Sequence, residues 1–138
     1  MARIKESSFG ETPFQRLLGH NIEVMQGWTQ LGSVLENDGL LSFELKEQVR
    51  RTLAQSNKCE YCKTKGKPDW DKFDEKISLA VGFAEVFLKQ KGGIPNSTFK
   101  ILYEGFTEEE ISELCAFISF TSASQYFGAM MQLKPTQK

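Results

Sequence analysis

The sequence predicts an all-α fold, and three observations carry that prediction. Apolar residues recur at three- and four-residue spacing through several stretches, capping residues and glycines punctuate those stretches, and no segment alternates at period two. With 138 residues, 40% of them hydrophobic, the chain suits one core and is too short for two. Residues 1–138 therefore read as a single domain of about six helices.

Thr12 followed by Pro13 has the form of an N-cap with proline at the first helical position, opening a short helix to about Leu18. Gly19-His20-Asn21 breaks it. Ile22, Met25, Trp28, Leu31 and Leu35 give a second helix its stripe, and Asn37-Asp38-Gly39 stops it. Ser42 caps a third, with Leu45, Val49 and Leu53 on one face, Glu47, Arg50 and Arg51 on others, and an end near Ser56-Asn57. A further helix is expected to begin at Cys59-Glu60-Tyr61-Cys62 and to be cut short by Pro68. Asp69 or Asp71 then caps a long helix carrying Phe73, Ile77, Ala80, Ala84 and Phe87, ended by Gly92-Gly93. After the Ile94-Pro95-Asn96 loop comes a short helix from about Thr98 to Tyr103. Thr107 and Glu110 form a capping box for the last helix, which runs through Ile111, Leu114 and Ile118 to about Met131.

The charge balance excludes some partners. A net charge of -1 leaves no electrostatic footprint for nucleic acid or an anionic membrane. Residues 114–133 carry no charge and are long enough to span a bilayer. Ser119, Thr121, Ser122, Ser124, Gln125 and Gln132 interrupt that stretch, which fits burial between protein surfaces and predicts a subunit interface. Three cysteines and no signal-peptide pattern in the first residues point to a reducing cytoplasm.

The chemistry is concentrated in Cys59-x-x-Cys62. Two thiols one helical turn apart can close a disulfide, and a thiolate forms readily only where its pKa is lowered. A helix N-terminus, the partner sulfur and the cations Lys58, Lys63 and Lys65 are available for that here. Zinc needs four ligands and only one cysteine pair is present, so a Cys3His set would have to recruit Cys115 and His20 from far away. Cys115 sits at core spacing and reads as a small buried hydrophobe. Glu47, twelve residues before Cys59, has two readings: a proton acceptor for the thiols, or a solvated helix residue paired with Arg50 or Arg51.

Several segments together carry a resemblance: Arg16 to Asn21, Leu41 to Lys58 with Glu47, the CxxC, Phe73 to Gly92, and Thr107 to Ile111 with the last helix. In these the chain resembles the carboxymuconolactone decarboxylase family, in its alkylhydroperoxidase D-like branch. The resemblance implies an all-helical fold, homo-oligomers that are commonly trimers or hexamers, and thiol-dependent reduction of hydroperoxides. It also implies roles for the residues. Cys62 would attack the peroxide, Cys59 would resolve the sulfenic acid to a disulfide, Glu47 would relay the proton, and an external thiol reductant would restore the pair without metal or organic cofactor.

The chain departs from that pattern in two places. Where the family carries a histidine four residues after the second cysteine, this chain has Gly66, and residues 63–72 replace a longer segment rich in small apolar residues. His20 is the sole histidine and hence the one side chain of its kind able to stand in as proton carrier. Two other classes of function stay open: a non-catalytic redox-sensing oligomer, and the lactone decarboxylase for which the family is named.

Overall fold

The computed structural model describes residues 2–135. Among them are six α-helices and no strand: α1 (Pro13–Leu18), α2 (Ile22–Glu36), α3 (Phe43–Ser56), α4 (Glu75–Gln90), α5 (Asn96–Leu102) and α6 (Glu108–Met130). Side-chain caps start most of them. Thr12, Asn21, Ser42, Asp74 and Thr107 each accept a hydrogen bond from a backbone N–H in the first turn, satisfying a donor that the helix itself leaves unpaired. The capping box of Thr107 and Glu110 is complete in both directions.

The core lies where α3, α4 and α6 meet. Leu45, Val49 and Leu53 of α3 pack with Ile77, Ala80, Val81 and Ala84 of α4 and with Leu114, Phe117 and Ile118 of α6. Burial of each large side chain contributes about 1.5–3 kcal/mol. Lys46 is also buried, at 1% exposure. Its ammonium lies 3.1 Å from the Glu113 carboxylate and donates to the Asn37 carbonyl at 2.7 Å, so α3, α6 and the loop after α2 are tied at one point.

Three boundaries and one helix face differ from the sequence expectation. The CxxC opens a four-residue 3₁₀ turn, Cys62–Lys65, and not an α-helix. Gly66 and Pro68 follow too closely for the costly first helical turns to be offset by propagation. The long helix α4 is capped by Asp74; Asp69 caps a separate 3₁₀ turn at Trp70–Lys72, and Phe73 lies outside the helix. α5 starts earlier than expected, directly after Pro95, whose fixed φ suits an N-cap. Of the stripe read for α2, Leu35 is buried while Ile22 and Leu31 are exposed at 39% and 49%. Trp28, also of that stripe, turns with Gly32 toward α6, against Phe120.

The uncharged stretch of α6 is used within the chain. Ser122 and Gln125 bond Asn57 at the end of α3, and Ser124 accepts from the Trp28 indole at 2.9 Å. These contacts employ Ser122, Ser124 and Gln125 within the chain. No helix among the described residues is long and apolar enough to cross a membrane.

Candidate active site

The site begins where α3 stops. Asn57 is its C-cap, and Lys58 follows with φ +60°, the left-handed conformation that ends helices by reversing the chain. A buried network holds this corner. The Asn57 amide donates to Gln125 Oε1 at 2.7 Å, and Gln125 Nε2 donates to the Arg50 carbonyl at 3.2 Å. Cys59 is thereby inserted beneath α6 with no exposure. It meets Gly128, where an added Cβ would sit 2.5 Å from its sulfur.

Cys59 and Cys62 are joined as a disulfide with their Cα atoms 5.2 Å apart, inside the range such bonds require. The Cys62 N–H also donates to Cys59 Sγ at 3.2 Å. The two sulfurs differ in access. Cys59 is enclosed, whereas Cys62 is partly exposed and lines a cleft of about 440 Å³.

One face of α3 fixes the turn by binding its backbone. Arg50 Nη1 donates to the Cys62 carbonyl at 3.0 Å and Gln55 to the Gly66 carbonyl at 3.2 Å. The buried Gln48 accepts from the Asp69 N–H at 2.7 Å. Glu47 holds the arginines in place: Arg50 donates to both of its oxygens at 2.9 and 3.1 Å, and Arg51 donates at 2.9 Å. Burial alone would push the Glu47 carboxyl up, but the two guanidinium groups overrule it and hold the carboxyl below its usual range. Such a carboxylate accepts a proton reluctantly. Its tie to the cysteines runs through Arg50.

The cleft has an aromatic wall and a polar mouth. Phe14, Trp28 and Phe120 form the wall, with the Trp28 and Phe120 rings 5.6 Å apart, and Arg50, Lys65 and Glu36 supply the charges. Glu36, the last residue of α2, was not singled out by sequence. Its carboxyl is pushed up, first by burial, and the neighbouring Lys65 and Arg50 only partly oppose this. Within the chain nothing marks it apart from other helix-terminal glutamates; only the packing of α2 across α3 brings it here.

The predicted residues therefore divide. Cys59, Cys62 and Glu47 come together about the turn. His20 does not join them: it is exposed at the junction of α1 and α2, its Nε2 is bonded to the Lys5 carbonyl, and it does not line the cleft. Tyr61 and Lys65 line the cleft, while Lys63 lies 3.8 Å from Glu60 and Trp70 is 66% exposed over Phe73. Gly66 has φ +91° and open space around it. Cys115 is a free, half-buried thiol packed on the core, with its pKa raised by burial. Among the described residues no three His, Cys, Asp or Glu side chains could hold a metal ion.

The chain shares its fold with a peroxidase-related protein. That structure, an uncharacterized peroxidase-related protein from Silicibacter sp. TM1040, superposes with a TM-score of 0.74 at 16% identity. The match covers 88% of this chain and 75% of that one. No protein-family model and no curated protein matches the sequence. Similarity at this level shows the architecture, and the chemistry rests on the residues in it.

Proposed function

We propose that the chain is a thiol-dependent oxidoreductase that reduces hydroperoxides, a member of the alkylhydroperoxidase D-like branch of the carboxymuconolactone decarboxylase family. One observation carries this reading: a partly exposed Cys62 faces a cleft and is bonded to a fully enclosed Cys59. That asymmetry suits an attacking and a resolving thiol. The Cys62 thiolate attacks the outer peroxide oxygen, the O–O bond breaks, and the alkoxide leaves with a proton as alcohol. Cys62 is left as a sulfenic acid. Attack by Cys59 then forms the disulfide and releases water. The peroxide has gained two electrons and the thiols have lost two, and an external dithiol returns them.

Glu47 serves this cycle through Arg50, by fixing the carbonyl of Cys62. The peroxidase-related fold neighbour supports the same chemistry. The exposed Leu31 and Val34 on α2 support a homo-oligomer, a trimer or hexamer, and the dithiol couple supports a cytoplasmic location where reductant is abundant.

Titration of free thiols before and after one equivalent of hydroperoxide tests the reading. The reduced chain is expected to lose two thiols, and Cys59→Ser is expected to stop at a sulfenic acid on Cys62 that a dimedone-type probe traps. An unchanged thiol count in the wild type would remove it. A redox-sensing role is the second reading, favoured by Gly66 in the place of a proton donor. It predicts disulfide formation without turnover when excess dithiol is present.

A further inference from the structure

We propose that Glu36 is the general acid of this site, delivering a proton to the oxygen that leaves when Cys62 attacks a peroxide. The inference rests on the thiol peroxidase reading above and adds the group that reading lacks. A leaving alkoxide is a strong base, and its departure is slow unless a proton reaches it in the transition state. The other candidates for that task fail on position or on charge state. Gly66 offers no side chain, His20 does not line the cleft, and Glu47 is held ionised by two arginines.

Glu36 meets the requirements that those groups miss. Among the residues lining the cleft with Cys62 it is the only carboxyl group. Gly32, one turn before it, is buried, and a Cβ there would lie 3.3 Å from the Phe120 ring and 3.9 Å from Glu36 Oε1. The carboxyl thus sits over the aromatic wall of the cleft. Among the described residues it makes no hydrogen bond or ion pair that would have to break before it gave up a proton.

Charges reach Glu36 from each neighbouring element. Lys65 of the 3₁₀ turn and Arg50 of α3 favour its ionised form, and Glu47 of α3 disfavours it. Although the residue as a whole is exposed, neighbouring atoms crowd its carboxyl enough that desolvation outweighs these charges and pushes its pKa up. The side chain is exposed at the cleft mouth, so water can return the proton after each turnover. The step balances. Thiolate, hydroperoxide and protonated Glu36 give sulfenic acid, alcohol and the Glu36 carboxylate, with one negative charge on each side.

The experiment compares reduced wild type, Glu36→Gln and Glu36→Asp in single-turnover reaction with tert-butyl hydroperoxide across pH. Alkylation of Cys62 by iodoacetamide runs in parallel, because iodide leaves without needing a proton. The wild-type peroxide rate is expected to follow a bell, limited by Glu36 protonation and Cys62 ionisation. Glu36→Gln should lose on the order of 10²–10⁴-fold and show a single rise with thiolate, Glu36→Asp should recover part of the rate, and alkylation of the ionised thiol should match wild type. A Glu36→Gln variant with the wild-type rate and bell overturns the proposal, and so does an equal fall in both reactions. Failure of the wild type itself to lose thiols would instead strike the thiol reading, before any variant is made.

Discussion

Gly128 of α6 lies directly against the sulfur of Cys59, so close that a methyl group there would approach to 2.5 Å of Cys59 and 3.7 Å of Cys62 Sγ. The absent side chain lets a helix backbone serve as the floor of the disulfide. Because Cys59 is fully enclosed and its corner is pinned by Asn57 and Gln125, the sulfur has little room to retreat.

Gly128→Ala is therefore expected to destabilise the protein, although alanine within a helix ordinarily gains about 1 kcal/mol over glycine. Overpacking here should cost about 1–3 kcal/mol and shift the thiol–disulfide equilibrium with glutathione toward the dithiol, which can rearrange more freely. Chemical denaturation of both redox forms, with the equilibrium read by thiol alkylation, checks this. A variant more stable than wild type in both forms would show that the contact is absent in solution.

Acid should weaken the fold through four glutamates, the most exposed of them Glu44, which hydrogen bonds from Gln48 and Lys72 hold below its usual range. Glu47, Glu110 and Glu113 are held below the ordinary carboxyl value of 4.5. For Glu47 and Glu113 burial pushes upward and is overruled, by Arg50 and Arg51 in one case and by the Leu41 N–H and Lys46 in the other; for Glu110 the hydrogen bond from Lys76 leads. A lowered folded-state pKa gives stability that is complete above the unfolded value and lost as pH falls through the folded one. The urea midpoint should accordingly hold near neutrality and drop below about pH 4.5. Glu36 has the opposite sign, since its raised pKa means that its contribution declines as pH rises. Glu36→Gln should equal or exceed wild-type stability at pH 7 and lose that advantage in acid.

A histidine at residue 66 is not expected to speed peroxide reduction. Gly66 has φ +91° and ψ -172°, a region essentially reserved for glycine, so Gly66→His is expected to cost about 1–3 kcal/mol. The space about residue 66 is also open, leaving an imidazole nothing to hold it over Cys62. Peroxide reduction by Gly66→His should be no faster than wild type in a single-turnover assay. A clear gain would mean that the turn rearranges around the new side chain.

Local signals were legible where they were strong. Thr12-Pro13, Ser42 and the Thr107–Glu110 box set helix starts within a residue of those observed, because a cap is a contact between near neighbours. For α4 the expected cap was Asp69 or Asp71, but the helix starts after Asp74, with Ile77 and Ala80 buried in the core. On α2 the periodicity identified the helix and placed Trp28 and Leu35 inward, but it could not tell that Ile22 and Leu31 of the same stripe stay exposed.

Sequence by itself determined the all-helical class, most helix starts and the i, i+3 cysteine pair, all written in short-range spacing. Tertiary structure decided the rest. It buried one cysteine and opened the other to a cleft, committed Glu47 to two arginines, placed Gly128 under the sulfur, and carried Glu36 from the end of a different helix to the same mouth. The reason is physical: access, pKa and van der Waals contact depend on what surrounds a group in space, and for these residues the surroundings come from helices remote in the chain.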